Sequence, residues 1–332
     1  MNTATRLSTY ALGLVVVFGG TWGAGNLIGP PADAAPSTQA QPAAKPATQA
    51  HAGHGQAQET QPSPAAGDDK QSSDTPGGLQ VSQNGYTFNP LTTLKAGEAG
   101  DFRFTITGPT GKPVTDFQVN HDKKLHLIVV SRDLSTFQHV HPEMSADGTW
   151  STKLTLPGAG AYRAFADFSP TGGPALTLGA DLQAAGDYQP KPLKAAAKTA
   201  EVDGYTVSLD GDLVPGKSTK LTLSVSKDGK PVTDLEPYLE AYGHLVVLRA
   251  GDLAYLHVHP DGAPGDGKTK PGPEITFYAE APSGGDYRLF LDFQHGGTVR
   301  TADFTAKAGE PDPNAPKPEP AQNDHDSTPH SH

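Results

Sequence analysis

The chain has 332 residues, a formal net charge of −11 and an isoelectric point near 5.5. An acidic balance without a basic stripe excludes nucleic acid as a partner, and the absence of cysteine excludes disulfides, thiol chemistry and any Cys-ligated metal centre. Aromatic and β-branched residues concentrate between about residues 79 and 308, so the middle of the chain is expected to fold and the ends are not.

Arg6 is the only charged residue before Asp33, and the run from Tyr10 to Gly29 between them is largely apolar. A basic start followed by an apolar stretch is a secretory signal pattern, with Ala32-Asp33-Ala34 as a small-residue cleavage site. The same stretch reaches the roughly 20 residues that a transmembrane helix needs. Residues 1–29 are therefore read as a signal peptide or membrane anchor. Either one places the remainder outside the cytoplasm, secreted or held at the cell membrane. Residues 30–78, rich in Pro, Ala and Gln, read as a disordered linker spanning about 40 Å root-mean-square.

Between residues 79 and 308 the sequence repeats itself. Gly111-Lys-Pro-Val-Thr-Asp116 recurs as Gly229-Lys-Pro-Val-Thr-Asp234, His126 recurs as His244, and His139-Val-His141-Pro142 recurs as His257-Val-His259-Pro260, all 118 residues later. Tyr162-Arg-Ala-Phe-Ala-Asp167-Phe168 matches Tyr287-Arg-Leu-Phe-Leu-Asp292-Phe293 after an inserted loop, 261–272. The two copies are placed at 79–186 and 198–308, with Pro190 and Pro192 marking the join.

Each copy reads as all-β. In the first, strands are expected at 79–88, 101–107, 125–131, 137–141, 150–156, 162–168 and 176–182. In the second they are expected at 205–209, 220–226, 244–249, 255–259, 275–279, 287–293 and 299–306. Seven strands in about 105 residues predict an immunoglobulin-like or cupredoxin-like β-sandwich, two in tandem. The stretch Lys124–Arg132 is apolar on both faces, which predicts a central strand. Tyr162 and Tyr287 each follow a Gly-rich corner, the pattern of a tyrosine corner whose phenol bonds back to the corner backbone. Residues 309–332 read as a disordered acidic tail. It carries His325, His330 and His332, which with His51 and His54 of the linker can collect metal only loosely.

His139 and His141 are two apart on an expected strand, so their side chains share a face; the same holds for His257 and His259. A bend at the following Pro lets such a pair converge on one ion, with a third imidazole from another strand and a carboxylate after it. The expected set is His126, His139, His141 and Asp167 in the first copy and His244, His257, His259 and Asp292 in the second. Imidazole-rich sets suit Cu(II) or Zn(II). Met1 and Met144 are the only methionines, which argues against a thioether Cu(I) site, and without Cys there is no blue-copper centre. His121 stands outside the shared pattern, because Leu239 occupies the matching position. His295 has no counterpart either, although its nearness to Asp292 would let it assist the second copy. No nucleophile elbow, zinc-protease helix or phosphate loop is present, so a non-catalytic protein is expected. The alternative is a structural or protein-interaction module whose histidines pack and hydrogen-bond.

The string from Leu125 to Pro142, with the later Tyr-Arg-Ala-Phe-Ala-Asp-Phe, resembles a family of uncharacterised secreted or membrane-anchored bacterial proteins. That family is similar to YtkA-like and cupredoxin-like β-sandwich domains, and the composition of the tails looks actinobacterial. The resemblance covers about residues 79–308. It implies an immunoglobulin-like fold and a link to copper or heavy-metal handling at the cell envelope.

Overall fold

The computed structural model describes residues 75–256 and 258–309. The expected signal or anchor, nearly all of the linker, the acidic tail and His257 lie outside these residues.

In the first repeat the strands are β1 (Ser82–Gln83), β2 (Tyr86–Pro90), β3 (Ala99–Thr107), β4 (Leu125–Ser131), β5 (Phe137–Val140), β6 (Glu143–Met144), β7 (Thr149–Thr155), β8 (Gly160–Phe168) and β9 (Leu176–Ala184). The second has β10 (Thr199–Val202), β11 (Tyr205–Asp210), β12 (Ser218–Lys227), β13 (Lys230–Pro231), β14 (His244–Arg249), β15 (Val258–Pro260), β16 (Glu274–Glu280), β17 (Gly285–His295) and β18 (Thr298–Ala308). Each repeat is an antiparallel sandwich. The first stacks the sheet β1-β2-β3-β7-β6 on β5-β4-β8-β9. The second stacks β10-β11-β12-β16-β15, with β13 added on β12, against β14-β17-β18. The fold is all-β and immunoglobulin-like, twice over.

Inside each sandwich the two sheets share one apolar core. In the first it includes Phe88, Phe104 and Trp150 from one sheet and Leu127, Ala164 and Leu178 from the other. In the second it includes Val207, Leu223 and Phe277 against Val247, Leu289 and Phe304. The tyrosine corners form as expected. The Tyr162 hydroxyl donates to the Gly158 carbonyl at 2.8 Å, and Tyr287 donates to the Ser283 carbonyl at 2.7 Å.

Strand β4 lies between β5 and β8, as a central strand should. Its apolar character on both faces has a further cause. Leu125, Leu127 and Val129 enter the first sandwich core, whereas Ile128 and Val130 join a third cluster with Val246, Leu248 and Phe290 of the second repeat. Alternation with period two thus gives β4 one face for its own sandwich and one for the other repeat. Strands β14, β8 and β17 are divided in the same way. Two aromatic pairs related by the repeat close this layer: Phe137 stacks on Phe290 at 4.3 Å, and Tyr255 lies against Phe165 at 5.6 Å.

The end of the segment read as linker takes part as well. Gly77 accepts from the Tyr255 amide at 2.9 Å, and Gly78 accepts from the Arg163 guanidinium at 2.7 Å. A Cβ at Gly179 would lie 2.0 Å from the Gly78 carbonyl oxygen, so only glycine allows this strap to cross β9.

Candidate metal centre

The candidate side chains of the first repeat lie on the face it turns toward the second. His126 shares its side of β4 with Ile128 and Val130, and His244 shares its side of β14 with Val246 and Leu248. Register places Asp167 opposite His126 and Asp292 opposite His244. On β5, His139 sits opposite Ile128, and Val140 packs on the first core. His139 and His141, flanking Val140, therefore turn away from that core. Immediately afterwards the chain leaves the β4 sheet at Pro142 and pairs with β7 as β6, so the His-x-His segment crosses from one sheet to the other.

This bend brings three imidazoles together. Ring centroids of His126 and His139 are 5.3 Å apart, His126 and His141 5.0 Å, and His139 and His141 4.9 Å. One ligand nitrogen from each lies within 4.8 Å of the others. Imidazoles sharing one ion at about 2.0–2.1 Å would have centroids roughly 5 Å apart.

The hydrogen bonds orient these rings. His126 Nε2 faces the Asn120 carbonyl oxygen at 3.1 Å, so Nε2 carries the proton and Nδ1 the lone pair. His139 donates from Nδ1 to the Asp292 carboxylate at 2.8 Å, which turns its Nε2 toward His126. His126 Nδ1 and His139 Nε2 face each other at 3.1 Å, close enough to share a proton or, with a small adjustment, an ion. The Nε2 atom of His141 is buried and has no hydrogen-bond partner among the described residues. A ring nitrogen held by a carbonyl or carboxylate while its opposite nitrogen points into a shared space is the usual outer arrangement of a metal-ligating histidine. Burial, reinforced by the neighbouring imidazoles, pushes His126 and His141 down to about 3, and burial pushes His244 down to about 4. All three are neutral at pH 7, the form that ligates.

A family profile described as a domain of unknown function (DUF8832) matches residues 80–186 and again 200–310. The chain belongs to this family. Among solved structures, a Corynebacterium diphtheriae protein described as membrane anchored aligns at 12% identity over 71% of this chain and 61% of its own, with a TM-score of 0.20. Invasin, a bacterial integrin-binding protein, aligns at 12% identity over 67% of this chain and 39% of its own, with a TM-score of 0.19. The D00-D0 domain of intimin aligns at 7% identity over 68% of this chain and 100% of its own, with a TM-score of 0.21. The chain spans less than two thirds of the first two structures. Likenesses this low say nothing of function. No curated protein matches the chain.

Among the described residues, which leave out His257, the DUF8832 repeats bring together one such set. His126, His139 and His141 of the first repeat are joined by Asp292 of the second, both partners of the His139–Asp292 bond having side chains 5% exposed. Asp167 remains beside the cluster and accepts from Thr177 at 3.3 Å; burial raises it to about 6. In the second repeat His244 donates from Nε2 to the carbonyls of Tyr238 and Leu239 at 2.9 and 3.0 Å. Its ring lies 6.4 Å from His126 and 6.3 Å from His139, at the edge of the trio. His259 is exposed on β15, which pairs with β16 in the far sheet rather than with β14. The physical reason for this difference is face geometry. The motif's strand fixes which way the imidazoles point, and what stands opposite them is the other repeat.

Two residues outside the shared pattern fare differently. His295 does not assist the cluster, because it bonds the Tyr205 hydroxyl at 2.7 Å and Asp234 at 3.2 Å. His121 does reach the cluster, 5.3 Å from His244 and 6.2 Å from His126 between ring centroids. The repeat comparison could not flag it, since its counterpart is Leu239. The two share a left-handed backbone, with φ of 50° at His121 and 53° at Leu239.

Proposed function

We propose that this protein is a non-catalytic, extracytoplasmic metal-binding protein. Its two repeats jointly hold one Zn(II) or Cu(II) ion through His126, His139 and His141, and Asp292 orients His139. The observation that carries this reading is the convergence of three imidazole nitrogens within 4.8 Å of one another, those of His126 and His139 facing each other at 3.1 Å and that of His141 buried without a partner among the described residues. A proton between His126 and His139 would satisfy that pair and leave the buried His141 nitrogen unsatisfied, at a cost of about 1–3 kcal/mol. One divalent ion satisfies all three, and its charge is partly balanced by Asp292 through His139.

Placement outside the cytoplasm is supported by the basic start and apolar run at the N-terminus. The resemblance to YtkA-like and cupredoxin-like domains points toward the same metal chemistry. X-ray absorption of the Zn(II)-loaded full chain, with His51, His54, His325, His330 and His332 changed to Asn, tests the ligand set. Three imidazole nitrogens at about 2.0–2.1 Å are expected. A shell of oxygen ligands alone would remove the proposal and leave the histidines as packing residues of an interaction module.

A further inference from the structure

His126 is buried and the His139 side chain is 5% exposed, whereas His141 is half-buried, and two adjoining cavities give an ion a route past His126 and His139. The outer cavity, about 450 Å³, is lined by exposed residues including His121, Lys124 and His259, and it also touches His126 and Asp167. The inner one, about 100 Å³, lies against His139 and His244 as well as His121, His126 and Asp167. His121 thus borders both spaces and is the exposed member of the imidazole cluster.

The imidazoles are spaced for successive hand-over. His121 and His244 have centroids 5.3 Å apart, the same separation as His126 and His139 within the trio. Two rings at that distance can share one ion. Because His244 donates from Nε2 to two carbonyls, its lone pair is on Nδ1. From His244 the next rings are His139 and His126, at 6.3 and 6.4 Å. An ion held by two imidazoles is bound more weakly than one held by three and an orienting carboxylate, so the pair is an intermediate stop and the trio the destination.

We infer that His121 and His244 form an access relay through which the metal ion is loaded into and released from the His126–His139–His141 site, which makes the protein a carrier rather than a holder of a structural ion. This rests on the proposed trio site. His121 is the residue to test, because its counterpart shows that the backbone tolerates a replacement: Leu239 occupies the same left-handed position in the second repeat.

The experiment is stopped-flow loading of Zn(II) into the full chain, and its release to a chromophoric chelator in excess, for the parent and for His121→Leu. The parent here carries the five tail histidines as Asn. Both rates are expected to fall by the same factor, about tenfold or more, and His295→Asn, away from the cavities, is expected to leave them as they are. Unchanged rates in His121→Leu would overturn the relay. So would a loss of equilibrium affinity as large as that of His126→Ala, which would make His121 a ligand of the final site. Failure of the parent to bind Zn(II) at all would instead remove the trio reading on which the relay stands.

Discussion

His139 of the first repeat donates its Nδ1 proton to the carboxylate of Asp292 in the second, across 2.8 Å and away from solvent. Asp292 is held in turn by the Thr301 hydroxyl at 2.5 Å. The bond orients the His139 ring, and with it the direction of its ligating nitrogen. Asp292→Asn is therefore expected to weaken Zn(II) binding by about 10- to 100-fold, the usual effect of losing such an orienting partner. Asp167→Asn should weaken it less. Calorimetric titration of the two variants distinguishes them; equal losses would contradict the assignment of Asp292.

The layer between the repeats should contribute measurably to stability. Phe290 is buried and stacks on Phe137 with rings 9° from parallel. Phe290→Ala is expected to cost about 3–5 kcal/mol in urea unfolding, as for other buried aromatic truncations. It should also weaken metal binding, because the trio and Asp292 come from opposite sides of that layer.

The tyrosine corner predicts a smaller and separable effect. Tyr287→Phe removes one hydrogen bond to the Ser283 carbonyl, and a loss of about 1 kcal/mol is expected in the same unfolding assay. Zn(II) affinity should not change, since the corner is remote from the histidines in the fold.

The metal-free protein should lose stability on mild acidification. His126 and His141 are lowered to about 3 and His244 to about 4 in the folded state, against 6.5 when exposed. Below pH 6.5 the unfolded chain takes up protons that the folded chain refuses, so stability is full above pH 6.5 and falls as pH drops toward 4. Asp167 acts in the opposite sense. Raised to about 6 from 3.8, it favours the folded state as pH falls through that window and offsets part of the loss. Three groups against one leave a net decline, measurable as a lower Tm at pH 5 than at pH 7.5. A His126→Gln, His141→Gln, His244→Gln variant should show a flatter profile.

Much of this architecture was legible in the sequence because alternation and turn residues are local signals. Strands β4 and β14 fall where their apolar runs predict, and β8 and β17 cover the Tyr-Arg strands. The first expected strand is instead the hairpin β1–β2, turning at Asn84-Gly85, where φ is 52° and 80°. Asn-Gly is the preferred pair for such a turn. Strands β6, β10 and β13 escaped because they are only two to four residues long, too short for alternation to stand out. The parity of His126 with Ile128, and of Asp292 with Phe290, was also written in the chain. Parity tells which face a residue occupies and not what packs on that face, so the exchange of Asp167 for Asp292 beside His139 was not readable. Nor was His121, a single unrepeated residue on a loop.

The most direct test is stoichiometry. Zn(II) and Cu(II) are titrated calorimetrically into the full chain lacking its tail histidines, beside the same chain with His126, His139 and His141 changed to Ala. One tightly bound ion per chain, lost in the triple variant while its unfolding transition persists, is the predicted result. Two equivalent ions per chain would contradict the shared site, and no binding by the folded parent would contradict the metal function itself.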